Sequence, residues 1–230
     1  MSSTSTEGFL LIDKPAGITS HDVVDRLRRI TGVRRIGHAG TLDPFATGLL
    51  IVGVGRGATK HLSEMMAKEK IYDGAAVLGA TSDTQDGTGE ITALTSPTWP
   101  SEDALRKTLE TFTGNLKQIP PMYSAKKIAG KKLYELAREG IEVARKPAHI
   151  TIHELDLVSY TPPRFSFRVR CSTGTYVRTL AHDIGAALGT GAYLETLRRT
   201  VIGAFDVKNA AQLNDLTPEN WQGRLFPASP

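Results

Sequence analysis

One cysteine, Cys171, stands among 230 residues, so no disulfide can close within the chain and a cysteine-ligated zinc centre is excluded. That scarcity fits a cytoplasmic setting. Long apolar runs are also missing: the longest, over residues 48–55, falls far short of the roughly 20 residues a membrane helix needs. The opening MSSTSTEG has no basic stretch followed by an apolar one, so neither secretion nor membrane insertion is expected. Signatures of several chemistries are absent as well. There is no GxxxxGK[ST] loop and no G-x-S-x-G elbow, and VGVGRG at 52–57 lacks the helix and trailing acid of a dinucleotide site. No histidine or carboxylate cluster has ligand spacing, so no metal site is expected.

What is present describes a folded protein. Hydrophobic residues make up 40% and charged residues 23%, enough for a real core. Lysine and arginine outnumber the acids 28 to 24, a net charge of +4 that leans mildly toward polyanionic partners. The length suits one elaborate domain.

Local patterns supply the elements. Residues 9–12 form a strand ended by the turn residues Asp13, Lys14 and Pro15, and Ser20 is placed to cap a helix carrying Val23, Val24, Leu27 and Ile30 inward. Arg26, Arg28 and Arg29 decorate its outer side, and Gly32 ends it. Residues 34–48 have no period and read as a long ordered loop before the β-branched strand 49–54. Further on, a helix is expected over 58–68, strands over 71–78, 149–158 and 164–171, and helices behind Ser101 and the turn STGT. A basic loop at Pro120, with Lys126, Lys127, Lys131 and Lys132, runs into a helix closed by Gly140, and a final strand covers 194–205. Mixed order without strict alternation argues for α+β with a largely antiparallel sheet.

Three places hold chemistry-bearing residues. Asp43, between Leu42 and Pro44 with Phe45, Leu49 and Leu50 nearby, would be a poorly solvated carboxylate needing a cation. His38 and Thr41 precede it. Tyr176 and Arg178 open a helix, and Tyr72 lies on a strand. An acid, a cation, aromatic rings and basic helix faces suit chemistry on a nucleotide within RNA.

Six segments in order make this more specific: LLIDKPAGITS, residues 35–60, KIYDGAAVLGATSDTQDGTG, IPPMYSAKKIAGKKLYELAREG, CSTGTYVRTLAHDIG and YLETLRRTVIGAF. Together they closely resemble the bacterial tRNA pseudouridine-55 synthases of the TruB type. The resemblance implies a pseudouridine synthase catalytic fold over 9–205, with an RNA-binding insertion at about 120–146, a flexible stretch at 1–8 and a tail at 206–230 too short for the C-terminal PUA domain of many members. It also implies isomerisation of uridine 55 in the T loop of elongator tRNAs, without a cofactor or a required protein partner, by a monomer that grips the T stem-loop. By the same resemblance Asp43 is the nucleophile, Tyr72 stacks on the base and Arg178 pairs with Asp43, while His38, Tyr176, Leu197 and Lys14 contact substrate. Two rivals remain: a non-catalytic tRNA-binding or folding chaperone on the same scaffold, and a glycosidase-like hydrolase. The hydrolase wants a second carboxylate, for which Asp86 and Asp183 have only their charge to recommend them.

Overall fold

The computed structural model describes residues 6–124, 127–128 and 130–227. In chain order it begins β1 (Gly8–Lys14), α1 (Ser20–Thr31), β2 (Ile36–Ala39), β3 (Thr47–Val54), α2 (Gly55–Thr59) and α3 (Leu62–Ala67). Next come β4 (Lys70–Leu78), β5 (Ala80–Ser82), β6 (Ile91–Ala93), α4 (Glu102–Thr111), β7 (Gly114–Gln118), β8 (Lys127–Ile128), β9 (Lys131–Lys132) and α5 (Leu133–Arg138). The chain closes with β10 (Ala148–Thr161), β11 (Arg164–Cys171), α6 (Val177–Ala187), β12 (Ala192–Ile202), β13 (Phe205–Asp206) and β14 (Ala211–Gln212). The fold is mixed α+β with a largely antiparallel sheet, as expected. The chain divides into two compact units, residues 6–72 with 197–227, and residues 73–196. Strands β4 and β12 each begin in one unit and end in the other.

In the first unit β1 pairs antiparallel with β3, Leu10 opposite Val52 and Ile12 opposite Leu50, and β3 takes β2 antiparallel and the end of β12 parallel. Both faces are covered, which explains the unbroken apolar runs. Leu10, Ile12, Leu50, Val52 and Val54 pack against Val23, Val24 and Leu27 of α1, whereas Phe9, Leu11, Leu49 and Ile51 meet Ala39, Ala58 and Ile202 on the other side. Each fully buried Leu or Ile contributes about 2 kcal/mol.

Sequence expectation and structure differ at four places here. Thr19, not Ser20, caps α1, in a reciprocal box with Asp22, which frees the Ser20 hydroxyl for another role. The loop expected over 34–48 contains β2, whose four residues are too few to show alternation and whose partner β3 is non-local. The single helix expected over 58–68 is two short ones, α2 and α3, with Met66 exposed rather than inward. The presumed tail is core: β14 pairs with β1, Leu213, Leu216 and Trp221 join the α1 cluster, and Phe226 exchanges backbone bonds with Phe9 at 2.8 and 2.9 Å. At the other end, residues 1–5 lie outside the described residues, while Glu7 accepts the Gly57 N–H at 2.6 Å and Gly8 starts β1.

In the second unit β10 pairs antiparallel with both β7 and β11. The expected alternation holds on β11: Phe165, Phe167, Val169 and Cys171 are buried. Its basic face is neutralised, however, because Arg164 pairs with Glu195, Arg168 with Asp73 and Arg170 with Glu154. Ser101 caps α4 as expected. The insertion belongs to this unit, its ends tied by Arg145 Nη1 donating to the Pro120 carbonyl at 3.2 Å. Of the four lysines singled out in it, Lys126 lies outside the described residues, and Lys131 is exposed beside Glu139 at 4.0 Å.

Candidate active site

The seven residues named from the sequence divide between the units. Lys14, His38, Asp43, Tyr72 and Leu197 belong to the first, Tyr176 and Arg178 to the second.

Asp43 lies in the loop 40–46 between β2 and β3, half-buried, with Leu42 and Ala46 fully inward. A turn shapes the tip: the Ala46 N–H donates to the Asp43 carbonyl at 3.1 Å around Pro44, whose fixed φ suits that position. At the loop's end Gly48 has φ 102°, and a Cβ there would strike the backbone of Arg199. Only glycine permits β3 to approach β12 so closely. Of the apolar neighbours expected around the carboxylate, Leu49 and Leu50 point into the two cores, and Phe45 is half-buried.

Lys14 has no exposed surface. Its ammonium donates to the carbonyls of Pro15 at 2.8 Å, Ile18 at 2.8 Å and Pro44 at 3.3 Å. Burial pushes its pKa down to about 8, with the Asp43 carboxylate opposing and the Arg199 guanidinium adding to the shift. It is thus a strut beneath the loop that carries Asp43. His38 on β2 is half-buried, and its Nδ1 has no hydrogen-bond partner among the described residues. Burial first, then the Arg199 charge, lowers its pKa below the usual histidine value, so the ring is neutral at pH 7. Tyr72 and Leu197 are each 8% exposed.

In the second unit Tyr176 stands at the N-cap of α6 and Arg178 in its first turn. One side chain that the sequence reading passed over, Gln118, clamps the entry: its Oε1 accepts the Tyr176 N–H at 2.8 Å and its Nε2 donates to the Tyr176 carbonyl at 3.0 Å. Arg178, 5% exposed, donates to the Tyr123 carbonyl at 2.6 Å and the Thr84 carbonyl at 3.3 Å. Its Nη1 also lies 3.5 Å from Oδ2 of Asp86, which is 3% exposed. Asp86 Oδ1 accepts from the Thr84 hydroxyl at 2.8 Å, the Thr88 N–H at 2.9 Å and the Thr88 hydroxyl at 2.5 Å. The acid set aside as bare charge is therefore a buried, fully engaged partner of Arg178. The other, Asp183, borders a cavity of about 100 Å³ with Thr111, Phe112 and Leu180, and burial raises its pKa.

Comparison with known proteins gives these residues a context. Residues 28–177 match the family described as "TruB family pseudouridylate synthase (N terminal domain)", and residues 178–225 match "tRNA pseudouridylate synthase B C-terminal domain". A tRNA pseudouridine synthase B of Syntrophotalea carbinolica is 50% identical over 90% of this chain and 67% of its own length. One of Chlamydia trachomatis is 46% identical over 90% of this chain and 85% of its own. Among solved structures, a chain of a Cbf5–Nop10–Gar1 complex superposes with a TM-score of 0.76 at 27% identity, covering 97% of this chain but only 60% of that one. The protein is a member of the TruB family of pseudouridylate synthases.

Proposed function

We propose that this chain converts uridine 55 in the T loop of elongator tRNAs to pseudouridine, acting in the cytoplasm as a monomer with no cofactor. The observation that carries the reading is the Asp43 loop: a half-buried carboxylate on a tip held by buried donors, inside the segment that matches the synthase family. The reaction breaks the bond from N1 to C1′, turns the detached uracil, and joins C5 to C1′. The C5 proton leaves and N1 gains one, so no electrons are exchanged. A carboxylate serves as the covalent participant, as in retaining glycosidases. Ionised Asp43 begins the sequence, and a cation is needed to oppose the desolvation that would protonate it, the role that the family resemblance gives to Arg178. The target base must leave its stack at a cost of a few kcal/mol, which stacking on Tyr72 offsets. His38, neutral and half-buried, and Tyr176 suit contacts to the flipped nucleotide, and Leu197 helps exclude water from the activated sugar.

The exposed Arg29 and half-buried Arg26 of α1 offer phosphate contacts, whereas Arg28 is committed to Asp25 and to the Arg34 and Ile36 carbonyls. Incubation with a T stem-loop RNA followed by carbodiimide-dependent primer extension tests the reading. A new stop at the target uridine is expected with the wild type, and Asp43→Asn should bind the RNA with unchanged affinity yet give no stop. Normal turnover by that variant would sink the mechanism, and RNA binding without any stop in the wild type would favour the chaperone.

A further inference from the structure

Buried side chains of three elements grip the loop 40–46 at alternate carbonyls. Arg199 of β12, 1% exposed, donates from Nη2 to Gly40 at 2.9 Å, with its Nε on Leu49 at 2.7 Å. Lys14 of β1 reaches Pro44 at 3.3 Å. Between them Ser20, the first residue of α1 and also 1% exposed, engages Leu42 twice: its hydroxyl accepts the Leu42 N–H at 2.9 Å and donates to the Leu42 carbonyl at 3.2 Å.

The Leu42 carbonyl shares a planar peptide unit with the Asp43 nitrogen. Holding both backbone groups of Leu42 therefore fixes the plane from which the Asp43 Cα–Cβ bond departs, and with it the direction of the carboxylate. Thr19 already caps the helix, so Ser20 is not needed for α1 itself. A hydroxyl at this buried point has one evident use, which is to orient the residue before the acid.

We propose that Ser20 is a positioning residue for Asp43, acting through the Leu42 backbone; the proposal rests on Asp43 being the nucleophile. Misplacement of a reacting group by about 1 Å costs on the order of 100-fold in rate. A residue that only completes the fold would instead lower stability and leave the rate of the folded fraction alone.

The test is single-turnover kinetics on the T stem-loop RNA at saturating enzyme, with RNA affinity and thermal midpoint measured alongside. Ser20→Ala should slow the step by about 10- to 100-fold while affinity stays within about twofold, and Ser20→Thr, which keeps the hydroxyl, should recover most of the rate. If Ser20→Ala fails to fold, Ser20→Cys, which fills the site but hydrogen-bonds weakly, should show the same split at smaller size. Wild-type rate in the folded variant overturns the proposal, as does a rate loss that vanishes on cooling to where the variant is fully native. Failure of the underlying reading looks different: Asp43→Asn would then turn over normally, or the wild type would form no pseudouridine at all.

Discussion

The two units hold their reactive side chains in opposite electrostatic shells. The buried charges that grip the acid-bearing loop of the first unit are cations, Lys14 and Arg199, both spent on backbone carbonyls. Around the cation-bearing helix of the second, the buried charge is an acid, Asp86, paired with Arg178. Each unit adds a neutral clamp that takes both backbone groups of one residue, Ser20 on Leu42 and Gln118 on Tyr176. Positioning is thus done by backbone capture in both, but the charge that must be compensated differs. The difference teaches where each unit is fragile: the first to the ionisation of its lysine, the second to the loss of an anion.

Removing that anion should give the largest effect. Asp86→Ala leaves a guanidinium that is 5% exposed one carboxylate short, and breaking such a buried pair costs about 3–5 kcal/mol. Urea unfolding should show it, together with slower product formation as Arg178 relaxes from the Thr84 and Tyr123 carbonyls. A loss below about 1 kcal/mol would mean that the pair behaves like a surface one.

The first unit should respond to pH instead. With its folded pKa near 8 and its ordinary value 10.5, Lys14 binds fewer protons folded than unfolded throughout that window. Its contribution to stability is therefore fully present above pH 10.5 and is lost as pH falls toward 8. The stability of the wild type relative to Lys14→Met should rise by about 3 kcal/mol from pH 7 to 11. A constant difference would place the ammonium in a better-solvated site than its burial indicates.

The neutral clamps should matter less for stability. Gln118→Ala abandons the Tyr176 N–H, whereas the Tyr176 carbonyl keeps the Leu180 N–H at 3.0 Å. One orphaned, half-buried donor costs at most about 1–3 kcal/mol, and hydrogen exchange should accelerate at the α6 entry before it does elsewhere in the helix.

Much of the fold was legible beforehand, for identifiable reasons. β1, β3, β11, α4 and α6 show clear apolar patterns, and Asp43, Tyr72 and Arg178 stand out through the motifs that hold them, their roles resting on the family resemblance. What escaped depends on partners distant in sequence. Asp86 gains meaning only from an arginine far along the chain, and Gln118 only from Tyr176. The final segment is packed through Leu213, Leu216 and Trp221 on short 3-10 turns that follow neither helical nor strand spacing. Nor does any pattern reveal the three carbonyls that engage the Lys14 ammonium behind the D-K-P turn.

The smallest effect concerns the surfaces rather than the interiors, and it decides which unit's cations face RNA. On β11 Arg168 is held bidentately by Asp73 at 2.7 and 3.1 Å, with both side chains well exposed. An exposed pair of this kind contributes about 0.5 kcal/mol or less, so Arg168→Ala should barely move the unfolding midpoint. Its charge is also already balanced by a carboxylate, and a phosphate would have to displace that partner. Arg29 on α1 is exposed, whereas Arg28 and His21 of that helix pair with Asp25. Arg29→Ala should therefore weaken T stem-loop binding and reduce the salt slope by about one counterion, whereas Arg168→Ala should leave both unchanged. Equal losses from the two substitutions would bring the strand face into contact with RNA and erase the contrast between a neutralised sheet in one unit and a basic helix in the other.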